Sequence, residues 1–384
     1  MSKKLSYREC KSRVFADESV IESQWREAVH QLNRKIVVLD DDPTGTQTMH
    51  GIFVYTGWSL EQIRQGFARK EPVFFILTNS RGLSAKTVSE MYKTIAQRVH
   101  QVASECGKDF LIVCRGDSTL RGHYPLETEV IRSVLEEHGR KIDGEILCPF
   151  FDDGGRYTIG DIHYVKYGQE LIPAGDTEFA RDQTFGYRSS NLREYVEEKT
   201  KGAYSASSVL SVSLAELERG DTSAVAETLK RMEGFQKLVV NACHPLHLKV
   251  FCTALCQAIR SGKHYLFRTA APFINALSGI KKNPLLSQED LKATSSKRGG
   301  LVIAGSHTRK TTSQLWQLAD MEGLIPIEMN SDLVLTVGLK QEAAKLAAKC
   351  SLLIQSGQTP VVYTKRTVLP AQGEQALQYA VQIS

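Results

Sequence analysis

The chain has 384 residues, 42% of them hydrophobic and 24% charged, and its 48 basic and 43 acidic residues give a net charge of +5. A length prior of roughly 150 residues per domain predicts two domains, and the charges show none of the Lys and Arg runs that follow a phosphate backbone, which argues against nucleic acid as a partner. The charged N-terminus lacks the apolar core of a signal peptide and no apolar run approaches the ~18 residues of a membrane span, so we expect a cytoplasmic protein with no membrane partner.

Four short apolar runs recur in the first half of the chain, at residues 35–40, 72–78, 109–114 and 144–150. The segments between them include helix-length stretches with a helical period, such as residues 84–104. Apolar runs separated in this way are typical of βαβ units, which build a parallel sheet that is buried on both faces. This part of the chain therefore predicts a mostly parallel sheet flanked by helices.

The polar, turn-rich segment 281–299 predicts a linker between two domains. Within the first domain, residues 1–280, the aromatic and Gly-rich stretch 155–187 predicts a hairpin or flap over the edge of the sheet. The second domain, residues 300–384, continues the strand and helix pattern. We therefore predict an α/β protein of two domains, with mostly parallel sheets and a ligand cleft at the carboxyl ends of the strands, between the domains.

The residues that follow the four apolar runs read DDDPTG, TNSRG, RGDSTLRGH and FFDDGGR. Together they bring charge, small hydroxyls and Gly to the carboxyl ends of the strands, and these ends lie at the same edge of a parallel sheet. Three consecutive carboxylates, Asp40 to Asp42, repel one another and are expected to serve a ligand or a proton. The sequence therefore predicts one polar ligand site at this edge.

Two arginines, Arg115 and Arg121, flank a Ser-Thr turn that leads into a helix, and the N-terminal amides of a helix attract anions. A guanidinium group matches a carboxylate in a bidentate manner, so these two residues and Arg81 predict a clamp for a small acid. The alternative is that Arg115 pairs with one of the carboxylates of Asp40 to Asp42. The two roles can coexist.

The pattern of Asp40, Asp42 and Thr44 after an apolar strand also fits a haloacid-dehalogenase-like phosphatase, in which the first Asp is phosphorylated and the second is the acid or base. Thr78 would then bind phosphate, and the acidic pair in PFFDDGG would bind magnesium. Such an enzyme also needs a Lys in its third motif, and Lys141 matches that motif poorly. The stretch RGDSTLRGHYPLE has no role in such an enzyme. The phosphatase is therefore a rival hypothesis of lower rank.

The stretch AGSHTRKT places Gly305, Ser306, His307 and Thr308 at a strand-to-helix junction. Backbone amides at such a turn can hold a phosphate or a nucleotide. An ordinary helix N-cap is the equally good alternative.

The eight cysteines form no CxxC pair, and we interpret them as reduced and mostly buried. Cys252 and Cys256 share a helix face near His244 and His247, but their spacing is not that of a compact set of metal ligands. We predict no metal site built from protein side chains.

Five motifs occur in the order DDPTG, TNSR, DSTLRG, TEFARD and GSHTRKTTSQ. In this order they resemble the four-carbon acid sugar kinase family, and the resemblance runs from about Lys35 to the end of the chain. It implies an N-terminal acid-sugar domain, a C-terminal nucleotide domain, and phosphorylation of threonate, erythronate or 3-oxo-tetronate by ATP, with Mg²⁺ on the nucleotide.

The resemblance also implies roles for single residues. Asp41 and Asp42 match the family's paired carboxylates, one of which should act as base toward the sugar hydroxyl. The resemblance assigns Arg81, Asp117, Arg121 and Gly122 to the family's substrate-side loops, and we add Thr44, Gly45, Ser80, Arg115 and Ser118 to the predicted substrate-binding residues. Gly305 and Ser306 match the family's nucleotide-side Gly-Ser turn, and the predicted nucleotide-binding residues also include His307 and Thr308.

The family's second nucleotide loop, a Gly-Gly stretch, should follow residues 373–383, whereas this sequence ends at Ser384. We therefore expect a nucleotide-binding domain that is incomplete at its C-terminus, and an exposed sheet edge that favours a homo-oligomer. The leading hypothesis is ATP-dependent phosphorylation of a four-carbon acid sugar. The alternatives are a non-catalytic acid-sugar-binding protein or truncated kinase, and then the phosphatase.

Overall fold

A computed structural model of the chain describes residues 4–11, 13–46, 48–280, 286–287, 289, 297–367, 371 and 373–383. The chain forms two compact units, Met1–Asn283 and Pro284–Ser384. Most of the predicted linker, 281–299, lies outside the described residues. The assignment of the acid sugar to residues 1–280 and of the nucleotide to residues 300–384 stays a prediction.

The first unit alternates strands and helices along most of its length. Its strands are β1 (Leu5–Ser6), β2 (Lys35–Asp40), β3 (Phe53–Tyr55), β4 (Val73–Leu77), β5 (Phe110–Arg115), β6 (Gly144–Cys148), β7 (Arg156–Ile159), β8 (Ile162–Tyr167), β9 (Glu170–Pro173), β10 (Leu210–Val212), β11 (Gln236–Val240) and β12 (Tyr265–Thr269). Its helices are α1 (Arg8–Lys11), α2 (Glu18–His30), α3 (Leu60–Ala68), α4 (Ala85–Cys106), α5 (Leu126–Glu137), α6 (Leu192–Lys199), α7 (Leu214–Glu218), α8 (Thr222–Arg231), α9 (Pro245–Arg260) and α10 (Ala271–Ser278).

Within the described residues, eight strands form one sheet in the order β10-β11-β6-β12-β5-β2-β4-β3. Every neighbouring pair in it is parallel, which confirms the predicted parallel sheet. From β2 the chain continues on one side of that strand to β3 and β4, and then returns to its other side as β5. The carboxyl ends of β2 and β5 therefore lie at the point where the strand order reverses, where ligands bind in open α/β sheets.

The central strand β2 shows why this sequence forms a sheet covered on both faces. Its six residues are all buried. Successive side chains of a strand point to opposite faces. Ile36 and Val38 accordingly join one hydrophobic cluster, and Val37 and Leu39 join another. A strand that is apolar on both faces needs helices on both faces, as the sequence pattern predicts.

A second, smaller sheet in the first unit is antiparallel, with the order β1-β9-β8-β7. Strands β7 to β9 form the hairpins predicted for residues 155–187. The amide of Thr158 donates to the carbonyl of Ala242 at 2.9 Å, and the amide of Ala242 donates back at 3.1 Å, so the small sheet is joined to the chain just after β11.

The second unit contains β13 (Val302–Ala304), α11 (Arg309–Ala319), β14 (Leu324–Met329), α12 (Leu339–Gln355), β15 (Thr359–Thr364) and α13 (Gly373–Ile383). The three strands form a parallel sheet in the order β13-β15-β14. Both units thus have the α/β class predicted from the sequence. In the part of the chain that the structure describes, none of the helices has the length and apolar character needed to span a bilayer.

Candidate active site

The candidate site of the first unit lies where β2 and β5 end. The amide of Asp41 donates to the carbonyl of Arg115 at 3.2 Å, so the loops that follow the two strands leave the sheet side by side. A pocket of about 230 Å³ opens there. It is lined by Asp42, Thr44, Arg81, Arg115, Gly116, Asp117, Ser118, Arg121, Phe151, Arg156, Ala270 and Ala271.

Arg115 contacts all three consecutive carboxylates. Its Nε donates to Asp40 Oδ1 at 2.6 Å, and its Nη1 lies 3.3 Å from Asp41 Oδ1. Its Nη2 lies 3.4 Å from Asp42 Oδ1 and donates to the backbone carbonyl of Asp42 at 2.8 Å. The alternative in which Arg115 pairs with these residues is therefore confirmed. One guanidinium group shared in this way offsets much of the repulsion within the triplet.

Two more arginines bind carboxylates of these loops, and one of them connects the two loops. Arg81 forms an ion pair with Asp42, and its Nη1 lies 3.6 Å from Asp117 Oδ1. Arg121 Nε donates to the other oxygen of Asp117 at 2.7 Å. Burial disfavours the charged form of Asp117, but Arg121 and Arg81 together hold the pKa of Asp117 well below its usual range. Asp117 is therefore a fixed negative charge.

Asp40 and Asp41 lie beneath the pocket and do not line it. Each side chain is 1% exposed. Burial, together with the neighbouring charge of Asp41, raises the pKa of Asp40 to about 7 against the attraction of Arg115. Burial also raises the pKa of Asp41. By contrast, the side chain of Asp42 is 18% exposed and faces the pocket, so it is the triplet's carboxylate that a ligand can reach.

Gly45 is required at its position because the loop folds back onto the triplet. A Cβ added to Gly45 would lie 2.0 Å from Asp40 Oδ2 and 2.3 Å from Arg115 Nε. No side chain fits at such distances. The glycine thus covers the buried ion pair and lies outside the pocket wall.

A buried ion pair supports the site from below. Arg268 Nη1 donates to Glu127 Oε2 at 2.7 Å, and Ser80 Oγ donates to Glu127 Oε1 at 2.9 Å. Arg268 Nη2 donates to the carbonyl of Arg121 at 3.0 Å. A Cβ on Gly122 would come within 2.6 Å of the same Nη2. Ser80 and Gly122 therefore belong to the support of the pocket and not to its lining.

The loop after β5 is held rigidly by side chains that bind three consecutive carbonyl groups. Leu120 in this loop has φ +71°, a left-handed conformation that Leu rarely adopts. Such strain persists when surrounding contacts determine the conformation. The contacts are His163 Nε2 with the carbonyl of Ser118 at 2.7 Å, Tyr187 Oη with that of Thr119 at 2.8 Å, and Tyr195 Oη with that of Leu120 at 2.8 Å.

Seven of the predicted residues share the pocket wall, namely Asp42, Thr44, Arg81, Arg115, Asp117, Ser118 and Arg121. The other predicted residues of this unit, Asp41, Gly45, Ser80 and Gly122, lie outside that wall. Sequence reasoning missed Gly116, Phe151 and Arg156, together with Ala270 and Ala271 at the N-terminus of α10. Arg156 ends the strand-end motif FFDDGGR, a signal that could have identified it, whereas Ala270 carries no chemical signal.

The predicted nucleotide turn forms the junction between β13 and α11 in the second unit. A Cβ on Gly305 would meet nothing within 4 Å, and Ser306 and His307 are exposed. Thr308 is the N-cap of α11, and its Oγ1 accepts from the amide of Thr311 at 3.3 Å. The N-cap interpretation is confirmed, and a ligand at this turn stays a prediction.

Comparison with known proteins decides the family. The sequence model of the sugar-binding N-terminal domain of acid sugar kinases matches residues 36–277, which is more than half of the chain. The chain belongs to the four-carbon acid sugar kinase family. The resemblance inferred from the motifs is therefore confirmed, and a sugar kinase role holds for the protein at the level of the family.

Solved structures are similar to this acid sugar kinase family member over most of its length. A Haemophilus influenzae protein is 18% identical with a TM-score of 0.48, over 90% of this chain and 80% of its own. A domain of unknown function from Bordetella bronchiseptica, solved with bound citrate as a domain-swapped dimer, is 17% identical with a TM-score of 0.47, over 89% of this chain and 77% of its own.

A Salmonella typhimurium protein described as a candidate tRNA synthase is 15% identical with a TM-score of 0.55, over 86% of this chain and 74% of its own. At such identities it shows a shared fold alone. No curated protein matches the chain.

The phosphatase hypothesis fails on the family and on the geometry. Its nucleophile, Asp40, is buried beneath Gly45 and bound by Arg115. Thr78 Oγ1 donates to the carbonyl of Asp40 at 2.8 Å, and Thr78 does not line the pocket. Lys141 precedes β6 and therefore belongs to the edge opposite the strand ends that form the site. These three residues cannot assemble a phosphatase site.

The cysteines and histidines of α9 and its N-terminus lie close together in the first unit. No group of three or more His, Cys, Asp or Glu residues that could hold a metal ion occurs among the described residues. His247 Nδ1 accepts from the amide of His244 at 3.1 Å, and Cys252 and Cys256 are buried in the hydrophobic core of α9. These residues have ordinary roles in capping and packing.

Proposed function

We propose that the protein transfers the γ-phosphoryl group of ATP to a hydroxyl group of a four-carbon acid sugar of the threonate, erythronate or 3-oxo-tetronate type. The observation that carries this proposal is the position of Asp42 in a small pocket lined by arginines. Pockets for drug-sized ligands measure roughly 300–1,000 Å³. A pocket of about 230 Å³ suits a smaller, polar and anionic ligand.

Asp42 is the base in this proposal, because Asp41 is buried outside the pocket wall. The Asp42 carboxylate takes the proton of the substrate hydroxyl as that oxygen bonds to the γ-phosphorus. The bond between the γ-phosphorus and the bridging oxygen breaks, and ADP leaves with the electron pair. Phosphoryl transfer needs mainly in-line placement and charge stabilisation, and the arginines of the pocket can supply both.

The second unit would bind the nucleotide. The exposed turn at Gly305 and Ser306 precedes α11, whose first amides favour phosphate oxygens. Arg366 Nη1 donates to the carbonyl of Ser306 at 2.7 Å, and its Nη2 donates to that of Thr364 at 2.9 Å, so the turn is held in place. Mg²⁺ would enter with the phosphates and offset their charge.

The test is release of ADP by the purified full chain, measured with ATP, Mg²⁺ and a panel of threonate, erythronate and 3-oxo-tetronate stereoisomers, with a control that lacks the acid. Turnover that depends on one acid supports the proposal and identifies the substrate. Absence of turnover with every acid, together with thermal stabilisation by an acid but not by ATP, would instead identify a non-catalytic acid-sugar-binding protein.

A further inference from the structure

The arginines predicted as the acid clamp are already paired within the protein. Arg115 binds the carboxylate triplet, and Arg81 lies between Asp42 and Asp117. Arg121 binds Asp117 and lies 3.7 Å from Asp182. Each of these guanidinium groups thus has a carboxylate partner before any ligand enters, and a ligand carboxylate would have to compete with it.

Arg156 differs from the other arginines of the pocket wall. Among the described residues it has no carboxylate within the 4 Å of an ion pair, and its buried Nε has no hydrogen-bond acceptor. Its guanidinium carbon lies 5.6 Å from the centre of the Phe179 ring. Burial lowers the pKa of Arg156 from its usual value, which reflects the poor solvation of its charge. Arg156 is half-buried, and Asp117 attracts its charge without forming an ion pair. A partly desolvated cation without an ion-pair partner is costly unless an anion binds it.

We propose that Arg156 binds the carboxylate of the acid substrate and selects acids over uncharged polyols. This inference rests on the proposed function, since it assigns one group of that substrate to one residue. Asp42 lies in the same pocket wall and would face a hydroxyl. Holding the carboxylate at Arg156 therefore fixes which hydroxyl can approach the base.

Strand pairing and a backbone hydrogen bond fix the position of Arg156. Arg156 is the first residue of β7 and pairs with Val165 of β8, while its amide donates to the carbonyl of Phe151 at 2.8 Å. A residue on a paired strand positions its side chain more accurately than one on a free loop. Ala271, where α10 begins, lines the same pocket and adds the positive end of a helix dipole.

The experiment measures binding in the absence of ATP, by calorimetry on the full chain. The probes are threonate and erythronate with their uncharged counterparts threitol and erythritol, and the variants are Arg156→Gln and Arg156→Lys. We expect the wild type to bind an acid at least tenfold more tightly than the matching polyol. Arg156→Gln should weaken acid binding by roughly 10- to 100-fold and leave polyol binding unchanged, as expected for loss of a charged hydrogen bond.

Arg156→Lys keeps the charge but not the planar fork and should bind the acid with intermediate affinity. Arg188→Gln is the matched control, because the Arg188 side chain is 93% exposed and does not line the pocket. Wild-type acid affinity in Arg156→Gln or an equal loss of acid and polyol binding overturns the role of Arg156 alone. A wild-type chain that binds no acid of the wider panel overturns the proposed function and this inference with it.

Discussion

Arg115 and Asp40 form a buried ion pair at the ends of two adjacent parallel strands, with Arg115 Nε 2.6 Å from Asp40 Oδ1. The two residues are also register partners in the sheet, so their backbones are adjacent as well. The same guanidinium group reaches Asp41 and Asp42. This arrangement explains how three consecutive carboxylates are tolerated at the end of a buried strand.

Arg115→Met should destabilise the first unit strongly. Removing one partner of a buried ion pair leaves an uncompensated charge and typically costs about 3–5 kcal/mol in the free energy of unfolding. Urea denaturation would measure that free energy, with Arg188→Met as the exposed control. A loss below about 1 kcal/mol for Arg115→Met would mean that Arg115 does not stabilise the triplet.

Asp42→Asn should abolish most phosphoryl transfer while acid binding persists. Loss of a general base typically lowers kcat by roughly 10²- to 10⁴-fold. Acid binding should stay the same or become tighter, because the ion pair between Arg81 and Asp42 is lost. Initial rates and calorimetry would separate the two effects, with Asp176→Asn, an exposed carboxylate outside the pocket, as the control. A wild-type kcat in Asp42→Asn would contradict the assignment of the base.

Gly45→Ala should destabilise the loop that covers the triplet. The new Cβ would meet Asp40 Oδ2 at 2.0 Å, and overpacking of this kind typically costs about 1–3 kcal/mol. Gly82→Ala is the matched control, since its Cβ would meet nothing within 4 Å. Gly45→Ala should therefore have a lower midpoint of thermal unfolding than Gly82→Ala. Equal midpoints would show that Gly45 does not need to be a glycine.

Asp40 should make stability depend on pH in the opposite sense to an ordinary surface carboxylate. Its pKa is about 7 in the folded protein and 3.8 for the unperturbed group, so the folded state binds this proton more tightly. The resulting stabilisation is fully present below about pH 4 and is lost as the pH rises through about 7. It has an upper limit of about 4 kcal/mol, because one pKa unit corresponds to about 1.4 kcal/mol.

Asp40→Asn carries a neutral amide at every pH and removes this dependence. Urea denaturation of the wild type and of Asp40→Asn at pH 5 and pH 8 should therefore show the variant gaining stability relative to the wild type as the pH rises. A difference between the two proteins that stays constant over this range would mean that Asp40 is ionised throughout.

The strands of both units could be predicted from the sequence, because continuous apolar runs have few alternatives to burial within a sheet. The run at residues 35–40 became β2 with the predicted bounds, and the helical stretch expected at residues 84–104 corresponds to α4 (Ala85–Cys106). The short strand β3 was missed, since Phe53–Tyr55 gives too brief a signal to distinguish from a loop.

The charged motifs were enough to predict that the site lies at the carboxyl edge of the sheet, and to predict most of the residues that line the pocket. The reason is that parallel strands bring their carboxyl ends to one edge of the sheet, whatever the sequence between them. Which carboxylate faces a ligand, and which arginine lacks a partner, depended on distances between residues far apart in the chain. Arg115 meets Asp40 across 75 positions of sequence, and Arg156 reaches the pocket through a hairpin. Burial and pairing are properties of the packed structure, so only the tertiary structure separated Asp42 from Asp40 and Asp41, and Arg156 from the paired arginines.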